Sequence, residues 1–122
     1  MFTQSYQNIL VGIDGSDQAM EAFKKALAVA KRNHGTVYAA NVIDHQVYTF
    51  MSYSPLNENI MDQLTADAKN LINECKAFGK EYGYNKIEGI IAYGSAKEAM
   101  ARTLPEKYDI DLVMVGQSGL NA

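Results

Sequence analysis

The sequence predicts an α/β protein built on a doubly wound, Rossmann-like parallel sheet with the strand order 3-2-1-4 and helices on both faces. Short apolar runs, typical of strands buried on both faces, alternate along the chain with amphipathic helical patterns. Helical crossovers of this kind join parallel strands, and their right-handedness leaves few topologies to choose from. No repeat, low-complexity tract or linker is found, which indicates a single domain over residues 1–122.

Four strands are predicted from the apolar runs. They span residues 9–13, 37–43, 87–93 and 112–115. The first run is bounded by an Asp-Gly-Ser sequence that is typical of a turn. The third run contains a glutamate and a glycine, so its apolar pattern is the least regular of the four.

Three helices are predicted between the strands. Residues 17–33 and 59–82 both carry apolar side chains at steps of three and four, which gives each helix one apolar stripe. The third helix begins with a capping box, in which Ser95 and Glu98 satisfy each other's backbone amides. Pro105 should kink or end this helix, because proline cannot donate a backbone hydrogen bond.

The composition argues against several classes of partner. The net charge is −3 and the 11 basic residues are scattered, whereas nucleic-acid backbones are held by clustered Lys and Arg. The apolar runs are far shorter than a membrane span, and residues 1–8 lack the charged-then-apolar pattern of a signal peptide. We therefore expect a cytoplasmic protein that binds neither nucleic acid nor membrane.

A ligand site is expected where the strand order reverses, beyond the carboxyl ends of the first and fourth strands. Residues 14–16 and 116–119 follow these strands. The glycines of the second segment allow a ligand to approach the backbone, whose free amides attract anions, so we expect phosphate there. Asp14 and Asp17 would repel phosphate, so Asp14 is better suited to accept hydrogen bonds from ribose hydroxyls or to hold a metal. The alternative, in which both aspartates only cap the first helix, is equally consistent with the sequence.

Other residues that could carry chemistry have simpler interpretations. Asp44 is interpreted as a turn residue, His34 as a helix-end residue that suits the dipole, and His45 as a loop residue without a metal-ligand partner at useful spacing. Cys75, the only cysteine, lies on an apolar stripe and is interpreted as core rather than as a nucleophile. The long aromatic-rich connection at residues 44–57 either folds over a ligand or covers the sheet edge.

Four motifs in order along the chain carry a family resemblance. They are Ile-Leu-Val-Gly-Ile-Asp-Gly-Ser at 9–16, Asn-Val-Ile-Asp at 41–44, Tyr-Gly-Ser-Ala at 93–96, and Asp-Leu-Val-Met-Val-Gly-Gln-Ser-Gly at 111–119. Over essentially its whole length the chain resembles the universal stress protein family. The Gly-x-x-Gly of the last motif resembles that of the ATP-binding subgroup, which implies ATP as ligand, with Mg²⁺ as an accompanying ion.

The resemblance also implies roles for residues around the base and sugar. Asp14 would meet the ribose, and the Val42 backbone would read the adenine edge. Gly12 and Ile13 would line the base pocket. These four residues therefore form the first half of the expected ATP site.

The remaining expected ligand contacts follow the fourth strand. By resemblance, Val115 and Gly116 would lie beside the sugar, and Gly119 would begin the phosphate loop. In the family this loop continues to a Gly-Ser or Gly-Thr, a further helix and a fifth strand that is often at a dimer interface. We expect a homodimer, and we expect the natural protein to continue with this helix and strand, because an uncovered fourth strand would leave an exposed apolar edge.

Several functions compete for this fold. The leading one is an ATP-binding stress-response or regulatory protein that is not an enzyme, since no general base or arginine finger is evident; slow incidental hydrolysis stays open. An adenylating ligase would favour a Ser-Gly-Gly-x-Asp-Ser-like loop after the first strand, and a signalling receiver would favour an aspartate where Tyr93 ends the third. The alternative to ATP binding is a nucleotide-independent dimeric scaffold or interaction module.

Overall fold

The computed structural model describes residues 6–44 and 58–116, which form four strands and three helical segments. In chain order these are β1 (Asn8–Gly12), α1 (Asp17–Asn33), β2 (Thr36–Ile43), α2 (Glu58–Tyr82), β3 (Ile87–Tyr93), a third helical segment and β4 (Leu112–Met114). The third segment consists of α3 (Ala96–Glu98), a π-helical turn (Ala99–Thr103) and α4 (Leu104–Lys107).

The four strands form one parallel sheet in the order β3-β2-β1-β4, which confirms the predicted fold and strand order. Ile9 of β1 lies opposite Val37 of β2 on one side and Leu112 of β4 on the other. β3 has the predicted bounds, β2 begins and β4 ends one residue earlier than predicted, and β1 both begins and ends one residue earlier. The carboxyl ends of β1 and β4 therefore lie side by side, where the strand order reverses.

The two faces of the sheet are packed differently. One face carries α1 and α2, and Phe23 and Leu27 of α1 are fully buried against it. On the other face, Leu10 and Ile90 of the sheet pack against Leu104 of the third segment. Alternate residues of a strand point to opposite faces, so strands that carry apolar side chains on both faces supply both apolar clusters.

The prediction was that Pro105 would either kink or end the third helical segment, and the segment does not end there. Instead, the Leu104 amide donates to the Ala99 carbonyl five residues earlier, and the chain passes through a π-helical turn into α4. This wider turn suits a segment in which Pro105 has no amide to donate to the fourth carbonyl back. The segment begins as predicted at Ser95, whose Oγ accepts a hydrogen bond from the Glu98 amide at 3.3 Å.

The outer edge of β4 leaves apolar side chains accessible. Val113 is 41% exposed and Val115, just after the strand, is 65% exposed. The connection at residues 45–57 and the terminal residues 117–122 lie outside the described residues. Within the described ranges, no helix combines the length and apolar character needed to cross a membrane.

Candidate functional site

The loop that leaves β1 is fastened to β2 by two short hydrogen bonds. The Ile13 amide donates to the Ala40 carbonyl at 2.7 Å. The Asn41 side-chain amide donates to the Ile13 carbonyl, also at 2.7 Å, and this bond is partly buried. The backbone at Ile13 is thus held on both sides, which fixes where the next residue, Asp14, leaves the sheet.

Asp14 shapes the turn before α1 and does not cap the helix. Its Oδ1 accepts a hydrogen bond from the Ser16 amide at 2.9 Å, which is an Asx turn. The N-cap is Ser16, whose Oγ accepts from the Ala19 amide at 3.1 Å. Asp17 lies in the first helical turn, where a negative charge suits the helix dipole. The alternative in which Asp14 caps α1 is therefore wrong, and the exposed Asp14 carboxylate keeps the capacity to accept further hydrogen bonds.

A cavity of about 200 Å³ opens at the carboxyl ends of β1 and β2, against the third helical segment. It is lined by Gly12, Ile13, Asp14, Ala40, Asn41, Val42, Ala96, Met100 and Val115. Five of the seven residues predicted for the nucleotide site are thus brought together. A second cavity, of about 260 Å³, lies on the α2 side of the same strand ends and shares Asp14, Asn41 and Val42 with the first.

Gly116 lies apart from this group, in a groove of about 570 Å³ between α1 and β4. A Cβ at Gly116 would lie 2.6 Å from the Gln18 carbonyl carbon and 2.7 Å from the Ala19 amide nitrogen. Gly116 is therefore required for packing of the β4 end on the first turn of α1, a reason that the sequence motif does not reveal. Gly119 lies outside the described residues.

Four lining residues were not predicted from the sequence. They are Ala40, Asn41, Ala96 and Met100. Asn41 carries a sequence signal, because a polar side chain inside an apolar strand needs a partner. Met100 carries none, since its position depends on the π-helical turn.

Two of the remaining candidates, Cys75 and His34, keep the roles assigned from the sequence. Cys75 is fully buried in the α1 and α2 face, and burial, with a smaller contribution from the Glu74 charge, raises the pKa of its thiol to about 11. His34 is the exposed C-cap of α1, in a left-handed conformation with φ of 59°. Asp44 directly follows β2, and His45 lies outside the described residues.

Comparisons with known proteins agree on one family. The profile of the Universal stress protein family matches residues 5–122. A Staphylococcus aureus (strain USA300) protein, whose name places it among the universal stress proteins, is 36% identical over 118 residues, which cover 97% of this chain and 70% of that protein.

Solved structures show the same architecture. The universal stress protein UspA from Lactobacillus plantarum superposes with a TM-score of 0.77 at 26% identity, covering 98% of this chain and 83% of its own. A universal stress protein in complex with cAMP superposes with a TM-score of 0.76 at 22% identity, covering 98% of this chain and 82% of its own. The sheet order, the family profile and these likenesses lead to one conclusion: the chain belongs to the universal stress protein family.

Proposed function

We propose that this protein binds ATP at the carboxyl ends of β1 and β4 and acts as a stress-response or regulatory protein of the ATP-binding, Gly-x-x-Gly subgroup. The observation that carries the proposal is the cavity beside Gly12, Asp14 and Val42, where the residues assigned to the base and ribose converge. The universal stress protein in complex with cAMP supports it, because a protein of this fold there holds an adenine nucleotide.

The size and lining of the cavity suit a base rather than a whole nucleotide. Complete small-molecule sites are roughly 300–1,000 Å³, whereas this cavity is about 200 Å³. Most of its lining is apolar, including Ile13, Val42 and Val115, and such surfaces favour a flat ring. Val42 lines the cavity, and by the family resemblance its backbone amide and carbonyl would read a base edge.

The sugar and phosphates would then lie outside the cavity. Asp14 is exposed at its rim, and its carboxylate can accept from a ribose hydroxyl while keeping the bond from the Ser16 amide. Val115 lines the same cavity and Gly116 follows it at the end of β4, and by the family resemblance the phosphates would continue from there toward Gly119. Mg²⁺ is held in many nucleotide sites largely by the phosphates, so we expect it to arrive with ATP.

The cellular role follows from binding rather than catalysis. We propose a non-enzymatic protein, working as a homodimer in the cytoplasm, whose single domain over residues 1–122 changes its partner binding with ATP occupancy. A regulatory ligand acts only through different affinities for two states of its protein, so ATP occupancy must be measured before any partner.

The test is a calorimetric titration of Mg·ATP into the wild-type chain and into two charge-matched variants. Asp14→Ala removes the carboxylate at the cavity, whereas Asp17→Ala removes a neighbouring carboxylate that lines neither cavity at the strand ends. Hydrogen bonds to charged groups contribute about 1.5–3 kcal/mol, so Asp14→Ala should weaken micromolar binding more than tenfold. Asp17→Ala should change it less than threefold.

Two results would contradict the proposal. Equal losses in both variants would show that the effect is one of general charge at the start of α1. No binding to the wild-type chain would favour the nucleotide-independent scaffold instead. Titration with AMP and cAMP in the same series would show which adenine nucleotide the site prefers.

A further inference from the structure

We propose that Met100 determines the base selectivity of the strand-end cavity, favouring a purine over a pyrimidine. This inference rests on the proposed nucleotide function and adds a specificity-determining residue that lies on the third helical segment rather than on a strand-end loop.

Met100 closes the cavity on the side of the third segment. It is half-buried and lines the cavity together with Ala96 of the same segment. A Cβ built on Gly12 would lie 3.3 Å from Met100 Cε and 3.7 Å from its Sδ. The thioether end therefore lies directly against the β1 backbone, at the place where Gly12 has no side chain.

The π-helical turn fixes this position. Ala99 and Leu104, at the two ends of the wide hydrogen bond from the Leu104 amide to the Ala99 carbonyl, are both buried in the cluster on this face of the sheet. Met100 lies between these two anchors, so its Cα cannot shift along the sheet without displacing one of them. π-helical turns occur frequently at functional sites, since the extra residue redirects the side chains of one turn.

The chemistry of the cavity favours a larger ring. Methionine has a flexible, polarizable thioether that makes favourable contacts with aromatic rings. Apart from Asp14 and Asn41, the lining residues offer apolar side chains or glycine. A purine has a second fused ring that adds apolar surface for the thioether to contact, whereas a pyrimidine leaves part of that surface facing water. The selectivity should therefore reside in the Met100 contact.

The experiment compares ATP and UTP binding, each with Mg²⁺, in wild-type, Met100→Ala and Met20→Ala proteins. Met20 of α1 is a matched control, because it is also a half-buried methionine but packs on the opposite face of the sheet. Met100→Ala should lower the affinity for ATP about tenfold and the affinity for UTP less than twofold, so the preference for ATP should fall by close to tenfold. Met20→Ala should leave the ratio of the two affinities unchanged.

A double-mutant cycle adds a readout that a general loss of stability would not produce. In Gly12→Ala the new methyl group should push the Met100 thioether into the cavity and lower the affinity for ATP several-fold. In Met100→Ala the space beside residue 12 is open, so adding Gly12→Ala should cost little further affinity. The two substitutions should thus be strongly non-additive.

The outcomes separate this inference from the proposed function. If the wild-type chain binds ATP but Met100→Ala leaves the ratio of ATP to UTP affinity unchanged, the role of Met100 is overturned and the proposed function stands. Additive effects in the double-mutant cycle would have the same meaning. Failure of the wild-type chain to bind either nucleotide would overturn the proposed function and this inference with it.

Discussion

Replacing Gly116 by alanine should lower the free energy of unfolding even when no ligand is present. The added Cβ would lie 2.6–2.8 Å from three backbone atoms of Gln18 and Ala19, which belong to the first turn of α1 and cannot rotate away as a side chain could. Overpacking of this kind costs about 1–3 kcal/mol, and rigid backbone neighbours place this site near the upper value. We expect a loss of about 3 kcal/mol from a total stability of roughly 6–18 kcal/mol.

The assay is urea unfolding followed by far-UV circular dichroism. With a slope of about 2 kcal/mol per molar urea, the midpoint of Gly116→Ala should fall by about 1.5 M. Gly12→Ala is the matched control, because its nearest neighbour, at 3.3 Å, is the mobile end of the Met100 side chain. It should lose less than about 1 kcal/mol. An unchanged midpoint for Gly116→Ala would refute the inferred contact between the β4 end and α1.

Three further substitutions test other parts of the structure. Asn41→Ala removes the partly buried donor to the Ile13 carbonyl at 2.7 Å. It should therefore lower the unfolding free energy by about 1–3 kcal/mol and weaken the binding of ATP. Unchanged stability would mean that the bond is not maintained in solution. Ser16→Ala removes the acceptor for the Ala19 amide and should lower the urea midpoint by the equivalent of about 1 kcal/mol, and a larger effect would indicate a role beyond capping. Burial raises the pKa of the Cys75 thiol from 9.0 to about 11, so its contribution to stability is present below pH 9 and is lost as the pH rises to about 11. Urea midpoints between pH 8 and pH 11 should therefore fall more steeply in the wild type than in Cys75→Ala, and parallel curves would contradict this.

The strand and helix order could be predicted because each element carries its own pattern. Even β3, whose apolar run contains Glu88 and Gly89, has the predicted bounds. Both residues are exposed at the sheet edge, and a Cβ at Gly89 would lie 2.5 Å from Ile72 Cγ2 of α2. The irregularity is thus a packing feature of an edge strand and does not interrupt the strand.

The candidate site could be predicted only where it follows directly from strand ends. Gly12, Ile13, Asp14, Val42 and Val115 lie at such ends, and parallel strands bring their carboxyl ends to one edge. Contacts between elements distant in sequence carry no comparable signal. No local pattern gives the steric need for glycine at 116 or the turn that directs Met100 toward β1, although a proline signals that the helix cannot continue regularly.

The two sheet faces are packed unequally, so substitutions on one face should affect mainly stability and substitutions on the other should affect mainly ligand binding. The face with α1 and α2 contains Phe23 and Cys75, both fully buried, and the end of β4 closes onto it through Gly116. The opposite face is covered, within the described residues, by the short third segment, and there Val42 and Met100 stay half-buried beside the cavity. A flat apolar ligand would remove that remaining surface from water, at about 25 cal/mol per Å². Substitutions on the first face should therefore shift the unfolding free energy of free and liganded protein equally, whereas Met100 substitutions should reduce the stabilisation that the ligand adds.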